Sequence, residues 1–309
     1  MPLEPEAREF LLEMAAAGAA PLEDVGPEQA RADMEAGSKL LAPGPELHEV
    51  EDLTAEGRHG GIPIRCYRTG SEKNGAIIYF HGGGWVIGSV ETHDAYCRHL
   101  AEATSLTVCS VDYRLAPENP FPAPFEDALD SVEWVSENAE TLRIDASRLA
   151  VAGDSAGGNL AAAVSLACRD LGVAKIARQV LTYPITDYDL TTESYREFSE
   201  GYYLTRDSMD WFWRTYLEHP NDSENPYVRP MQCMDLGDLP DALVITAEYD
   251  PLRDEGEFYA SRMVEQGVRV TQQRFLGMIH GFIRRFERFP QAQECLQLIA
   301  DFLSPLTNK

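Results

Sequence analysis

The chain has 309 residues, which is enough for one large α/β domain or two smaller ones with a sizeable buried core. Its 51 acidic residues against 26 basic ones give a formal charge of −25, so no nucleic-acid partner is expected, because phosphate contacts need clustered positive charge. The same charge disfavours an anionic membrane surface, and no apolar run approaches the roughly 20 residues that span a bilayer, so no stable membrane insertion is expected.

Two helical patterns come first along the chain. Apolar residues among acidic ones predict a helix over residues 7–19, a Gly/Pro break follows, and a second helix is predicted from Pro27 to about residue 41. The Pro-Gly-Pro sequence at 43–45 then ends the helical region.

Short strand patterns then alternate with helical ones. Mostly apolar or alternating runs predict strands at residues 62–69, 76–80, 106–111, 149–152, 180–183, 243–247 and 268–275. Helices are predicted near residues 92–104, 124–140, 156–170, 254–266 and 290–303. Apolar strands followed by helices predict a mostly parallel sheet covered on both faces.

Residues 188–230 break this alternation. The stretch holds no clear strand but many aromatic side chains, and it is too long for a plain connection between two strands. It therefore predicts a helical insertion over one end of the sheet. Two interpretations of its aromatic residues stay open: they pack the core of the insertion itself, or some of them line an apolar substrate pocket.

A Gly-Asp-Ser-Ala-Gly motif at residues 153–157 lies between a predicted strand and a predicted helix. Reactive residues in an open α/β sheet follow the carboxyl ends of strands. A tight turn there would expose the Ser155 hydroxyl as a nucleophile, and a glycine two positions away on each side would avoid a clash. An ordinary loop is the alternative, because so short a motif also arises by chance, and the partner of Asp154 is left open.

A nucleophilic serine needs a histidine base and a carboxylate that orients it, in the chain order serine, acid, histidine for this type of sheet. His280 is predicted as the base because it lies in a glycine-flanked loop after a predicted strand, whereas His219 lies inside the aromatic insertion. Asp250 directly follows a predicted strand and is favoured as the acid over Asp254, whose place at a helix start is a sufficient structural reason. Glu248 is interpreted as a support of the loop.

Three consecutive glycines occur in residues 81–85, called here the glycine loop, directly after a predicted strand. Glycine can turn its backbone N–H inward where residues with side chains cannot easily do so. The N–H groups of Gly83, Gly84 and Ala156 are therefore predicted to form an oxyanion hole, with a merely flexible loop as the alternative. His81 is interpreted as a hydrogen-bond donor that fixes this loop rather than as a second base.

Five motifs in this order resemble the hormone-sensitive-lipase family of microbial carboxylesterases: HGGGW at 81–85, YRLAPE at 113–118, GDSAGGN at 153–159, DPLRDEG at 250–256 and HGF at 280–282. The resemblance covers the chain from about residue 60 to the C-terminus. It implies an α/β-hydrolase fold of eight strands, with a core of residues 46–187 and 226–309 and a helical cap of residues 1–45 and 188–225. It also implies hydrolysis of short- to medium-chain acyl esters, small-molecule substrates, with no metal or other cofactor.

Two other functions stay open beside the esterase. One is an amidase or peptidase on the same fold, and the other is a non-catalytic ligand receptor, which the complete set of Ser155, Asp250 and His280 disfavours. The oligomeric state is open too, with a homodimer as one outcome.

The cysteines and the N-terminus bear on redox compartment and location. Six cysteines are scattered without metal-site spacing and are predicted to be structural. The first residues are acidic where a secretion signal would be basic, which predicts a cytoplasmic protein. A solvated, soluble surface accounts for the charge, and adaptation to high salt is the alternative.

Overall fold

The predicted strands form one mixed sheet in a computed structural model that describes residues 2–18 and 20–307. Its eight strands are β1 (Glu49–Gly57), β2 (Gly60–Arg68), β3 (Asn74–Phe80), β4 (Thr107–Val111), β5 (Ile144–Asp154), β6 (Ile176–Thr182), β7 (Asp241–Tyr249) and β8 (Val270–Ile279). They lie in the order β1-β2-β4-β3-β5-β6-β7-β8. Only the pairs β1–β2 and β2–β4 are antiparallel, and the other five are parallel. The expected mostly parallel eight-stranded sheet is confirmed.

Helices cover both faces of this sheet. They are α1 (Pro5–Ala17), α2 (Leu22–Ser38), α3 (Asp94–Thr104), α4 (Ala123–Glu137), α5 (Ala156–Leu171), α6 (Glu193–Glu197), α7 (Arg206–Tyr216), α8 (Arg253–Glu265) and α9 (Pro290–Leu303). One apolar core contains the buried residues of α4, α5 and α8, and a second core contains those of α1, α3 and α9. Every residue of α5 from its first to Cys168 is buried, so α5 is the central helix of its layer.

The first strand was not predicted. Strand β1 is the antiparallel edge of the sheet, and Ala55 is its only buried residue. Four of its nine residues are acidic, so it carries neither an apolar run nor a clean alternation. Its pairing with β2 along the whole strand supplies the stabilisation that its own composition does not announce.

The N-terminal helices match the predictions closely. Helix α1 ends at Gly18, which has a left-handed backbone at φ 62°, and Ala19, the predicted last residue, lies outside the described residues. The backbone of α2 is interrupted at Gly26 (φ 79°, ψ 167°). A regular helical run therefore begins afresh at Pro27, where the sequence predicts the second helix.

The segment that breaks the alternation, residues 188–225, contains α6 and α7. It lies against the N-terminal helices, since the Ser208 hydroxyl in α7 donates a hydrogen bond to Glu23 of α2 over 3.0 Å. These two parts of the chain are called the cap insertion and the N-terminal helices below. The predicted boundaries at residues 45, 187 and 225 stay predictions.

Two further properties concern the chain as a whole. Within residues 2–18 and 20–307, no helix combines the length and the apolar composition that crossing a membrane requires. All six cysteines are free thiols, and all except the half-buried Cys233 are buried, which agrees with a structural role.

Candidate active site

Ser155 occupies a sharp turn between β5 and α5. Its backbone has φ 57° and ψ −119°, a conformation that a residue with a side chain adopts only where the surroundings enforce it. The enforcing contacts come from β6: the Ser155 N–H donates to the Thr182 carbonyl over 2.9 Å, and the Ile185 N–H donates to the Ser155 carbonyl over 3.2 Å. The turn is therefore fixed from the neighbouring strand and not only by its own sequence.

Both flanking glycines are required by backbone contacts. A Cβ atom at Gly153 would lie 2.2 Å from the Gly157 carbonyl oxygen, and one at Gly157 would lie 1.9 Å from the Phe80 carbonyl oxygen. Real Cβ atoms never approach so closely, and backbone carbonyls in a buried sheet cannot move aside cheaply. The spacing of the motif thus reflects how tightly β3, β5 and α5 meet at this turn.

The structure brings together the three residues that were predicted to act with one another. His280 follows β8 and Asp250 follows β7. The His280 Nδ1 atom lies 2.7 Å from Asp250 Oδ2, and His280 Nε2 lies 3.1 Å from Ser155 Oγ. All three side chains are buried. These distances assign the ring proton to Nδ1 and leave Nε2 as the acceptor for the serine hydroxyl.

The Asp250 carboxylate has a second donor that fixes its orientation. Its Oδ1 atom accepts the Leu252 N–H over 2.9 Å, so Oδ2 faces His280. The His280 ring also packs on the Tyr183 ring, with the centroids 4.4 Å apart. Hydrogen bonding and packing together therefore set the plane of the imidazole.

The competing residues lie in structural roles. The side chain of His219 is exposed, in the cap insertion. Asp254 accepts the Ser194 N–H over 2.8 Å and lies in the first turn of α8, which ties α6 to α8. Glu248 accepts the Gly277 N–H over 2.7 Å, at the start of the segment that carries His280. The structure thus agrees with the interpretation of Glu248 as a support.

The glycine loop holds strained backbone next to the serine. Gly83 has φ 124° and Gly84 has φ 59°, and the Gly83 carbonyl accepts the N–H groups of both Val86 and Ile87. Among the described residues, the N–H groups of Gly83 and Gly84 have no protein acceptor. Ala156 is the first residue of α5, so its N–H has no acceptor within the helix either.

Asp154, whose partner the sequence left open, holds the glycine loop. Its buried carboxylate accepts the Gly82 N–H over 2.9 Å and the Tyr79 hydroxyl. Burial alone would raise the pKa of Asp154, but His93, at 3.6 Å, and the Tyr79 hydroxyl outweigh it and lower that pKa below its ordinary value. An ionised carboxylate directly before the serine thus anchors the loop that faces it.

His81 is a neutral support of the same loop. The ring is fully buried, its Nδ1 lies 2.8 Å from the Gly82 carbonyl, and it stacks on Tyr113 with the centroids 4.3 Å apart. Burial and the neighbouring His93 lower the pKa of His81 to about 4, so the ring is uncharged at neutral pH and Nδ1–H donates to the carbonyl. This geometry agrees with the predicted loop-fixing donor.

The aromatic residues of the cap insertion pack on the glycine loop as well as on one another. Trp85 stacks on Tyr216 with centroids 4.2 Å apart and lies 4.7 Å from Trp213. A Cβ atom at Gly84 would lie only 2.1 Å from Cδ1 of Phe212. Neither sequence interpretation anticipated this interface, because nothing local in the sequence pairs α7 with residues 84 and 85.

Arg31 of α2 is a further residue that the sequence did not single out. Its guanidinium donates to the carbonyls of Val86 and Ala116 over 2.7 and 2.8 Å, and it pairs with Glu118 at 2.6 Å. The N-terminal helices are thereby bound to the segment that follows the glycine loop. Two of these contacts are to backbone carbonyls, which leave no signal in sequence.

Comparison with known proteins agrees with this architecture. A family model described as the alpha/beta hydrolase fold matches residues 77–284. The chain is 40% identical to an arylesterase of Saccharolobus solfataricus, covering 92% of this chain and 93% of that protein. It is 36% identical to an ethyl acetate hydrolase of Pseudomonas putida, covering 92% and 91%. A hyperthermophilic esterase of the archaeon Pyrobaculum calidifontis superimposes with a TM-score of 0.95 at 45% identity over 99% of both chains.

The fold and the matches define the class. The chain belongs to the α/β-hydrolase fold family, and within it to the carboxylesterases that resemble hormone-sensitive lipase, as the five motifs predict.

Proposed function

We propose that this chain is a serine carboxylesterase that hydrolyses short- to medium-chain acyl esters through Ser155, His280 and Asp250. The observation that carries the proposal is the continuous hydrogen-bond relay from Ser155 Oγ through His280 to Asp250, at 3.1 and 2.7 Å. A serine hydroxyl becomes nucleophilic when a base within hydrogen-bond reach takes its proton.

In the first half of the reaction, Ser155 Oγ attacks the ester carbonyl carbon while His280 Nε2 takes the hydroxyl proton. Asp250 keeps the imidazole in the required tautomer and stabilises the imidazolium. The tetrahedral intermediate collapses when the bond to the alcohol oxygen breaks, and His280 Nε2–H protonates that oxygen. The free alcohol and an acyl-Ser155 ester result.

In the second half, water takes the place of the alcohol. His280 Nε2 removes one proton from the water as it attacks the acyl carbon, and the second tetrahedral intermediate releases the carboxylic acid and the Ser155 hydroxyl. In both halves the negative carbonyl oxygen accepts hydrogen bonds from the N–H groups of Gly83, Gly84 and Ala156. The free N–H groups of the glycine loop and the helix N-terminus at α5 support this assignment.

The proposed substrates are neutral esters of modest size. Apolar side chains of the cap insertion pack over the glycine loop, and an apolar wall does not compensate a buried charge on a substrate. The relative named for ethyl acetate hydrolysis supports a short acyl chain. Turnover of p-nitrophenyl esters from acetate to palmitate tests this preference, and faster turnover of palmitate than of butyrate would overturn it.

The catalytic assignment is tested with Ser155→Ala and a matched control. Ser155→Ala is expected to lower kcat on p-nitrophenyl butyrate by about 10⁴-fold or more. Ser165→Ala serves as the control, because Ser165 is a buried serine of the same helix whose hydroxyl donates to the Ala161 carbonyl. A fluorophosphonate should add its mass to the wild type and to Ser165→Ala and not to Ser155→Ala. Near-wild-type turnover by Ser155→Ala would disprove the assignment.

The amidase alternative is tested by comparing an ester with its matched amide. The proposal expects a much larger kcat/KM for the ester, because the leaving alkoxide needs less assistance than an amine. Equal values for the two substrates would favour an amidase.

A further inference from the structure

The loop that carries His280, residues 277–281, is contacted at both ends by residues outside the α/β core. At one end the Glu4 N–H, directly before α1, donates to the Gly277 carbonyl over 3.1 Å. At the other end Gly281 has φ 76°, and a Cβ atom there would lie 3.1 Å from Cε1 of Tyr203 in the cap insertion. The loop is thus enclosed between the N-terminal helices and the cap insertion.

Arg285 joins these parts through one guanidinium. Its Nη1 donates to the Gly281 carbonyl over 3.0 Å, and its Nη2 donates to the Tyr203 hydroxyl over 3.3 Å. The guanidinium carbon also lies 4.6 Å from the ring centroid of Phe10 in α1 and 5.2 Å from that of Tyr203, within the range of cation–π attraction. The rings of Phe10 and Tyr203 are themselves in edge contact, with centroids 5.6 Å apart.

We propose that Arg285 is a positioning residue for the esterase reaction, through which docking of α1 and of the cap insertion holds His280 in place. Gly281 directly follows His280, so fixing the Gly281 carbonyl restricts the backbone from which the imidazole projects. The relay tolerates little movement, since a misplacement of about 1 Å can lower a rate by about 10²-fold. This inference rests on the proposed function, because it assumes that His280 is the base.

Arg288 provides a matched control on the same face of α1. Its guanidinium lies 5.2 Å from the Phe10 ring and pairs with Glu13 at 2.6 Å. It therefore contributes to the docking of α1, as Arg285 does, but its bonds go to α1 and not to the His280 loop. Comparing the two arginines separates an effect on the loop from an effect on helix docking alone.

The test measures kcat, KM and thermal unfolding for four variants. Arg285→Ala is expected to lower kcat about tenfold with KM changed less than about twofold, and Arg285→Lys to recover part of kcat, because a cation stays above Phe10 but the planar fork is lost. Tyr203→Phe, which removes only a hydroxyl, should lower kcat by about twofold and keep the fold. Arg288→Ala should lower the unfolding temperature and leave kcat unchanged.

A spectroscopic readout follows the relay itself. The proton between His280 Nδ1 and Asp250 gives a downfield NMR resonance, which should broaden or move in Arg285→Ala and stay in place in Arg288→Ala. Wild-type kcat in both Arg285→Lys and Tyr203→Phe, or equal losses of kcat in Arg285→Ala and Arg288→Ala, would overturn the inference. Failure of the proposed function is distinguishable, because it would appear as turnover by Ser155→Ala, independently of any arginine variant.

Discussion

Gly84→Ala is expected to damage the glycine loop for a reason that a second substitution can remove. The new Cβ would lie 2.1, 2.2 and 2.5 Å from three ring atoms of Phe212, so the clash is with a side chain from the cap insertion. By contrast, a Cβ at Gly83 would lie 2.1 Å from the Ile87 carbonyl oxygen, which is backbone. Truncating Phe212 can therefore relieve the first clash and not the second.

The expected magnitudes follow from these contacts. Gly84 has φ 59°, where alanine is disfavoured by about 1–2 kcal/mol, and overpacking in a filled core adds about 1–3 kcal/mol. Phe212→Ala alone removes a buried ring at a cost of about 3–5 kcal/mol. Because the ring and the new methyl compete for one space, Gly84→Ala/Phe212→Ala should be more stable than the sum of the two single losses by about 1–3 kcal/mol.

Urea unfolding of the four members of each cycle measures this coupling. The cycle of Gly83→Ala with Phe212→Ala is the control and should be additive within about 0.5 kcal/mol. Turnover of p-nitrophenyl butyrate should fall in both glycine variants, because the loop that carries the proposed oxyanion donors is displaced. Additive losses in the Gly84 cycle, or coupling of equal size in the Gly83 cycle, would refute the steric reasoning.

Three further predictions concern buried polar groups. His81 stays neutral in the folded protein with a pKa of about 4 against an ordinary 6.5, and the unfolded chain gains a proton between these values. Stability should fall by about 3 kcal/mol as pH drops through that window, and urea titrations should show a smaller fall in His81→Gln. Burial raises the pKa of Glu255 well above 4.5, so the folded protein keeps a proton that the unfolded chain releases, and stability should decline as pH rises above 4.5. Glu255→Gln should lack that decline, and parallel pH profiles would contradict the assignment. Arg31→Ala removes the bonds to the Val86 and Ala116 carbonyls and should lower the free energy of unfolding by about 1.5–3 kcal/mol; a loss below about 0.5 kcal/mol in urea would contradict the brace.

The sequence predicts the centre of the site well because its signals are local. Each of Ser155, Asp250 and His280 follows a strand directly, and the carboxyl ends of parallel strands meet at one edge of the sheet. The glycines around Ser155 are equally visible, since each one marks a place where backbone approaches backbone within one short motif. Seven of the eight strands were predicted for the same reason, through their own apolar runs.

What the sequence does not show depends on contacts between distant segments. Strand β1 is recognisable only through its partner, because most of its side chains face solvent. The contact of Phe212 with Gly84 joins residues 128 positions apart, and Arg31 binds carbonyls, which every residue carries. Neither the spacing of a motif nor the type of a residue records which surface the cap insertion will cover.

Asp154 shows why the nucleophile and the proposed oxyanion donors move as one unit. The residue adjoins Ser155 in β5, while its carboxylate binds the Gly82 N–H in the glycine loop. A Cβ atom at Gly82 would lie 2.4 Å from Oδ2 of the same carboxylate, so the loop lies directly on the acid with no space for a side chain. Any shift of the serine turn must therefore carry the glycine loop with it. A hydroxyl and N–H donors that approach one carbonyl group from different segments need that coupling, because electrostatic stabilisation falls steeply once a hydrogen bond lengthens or bends.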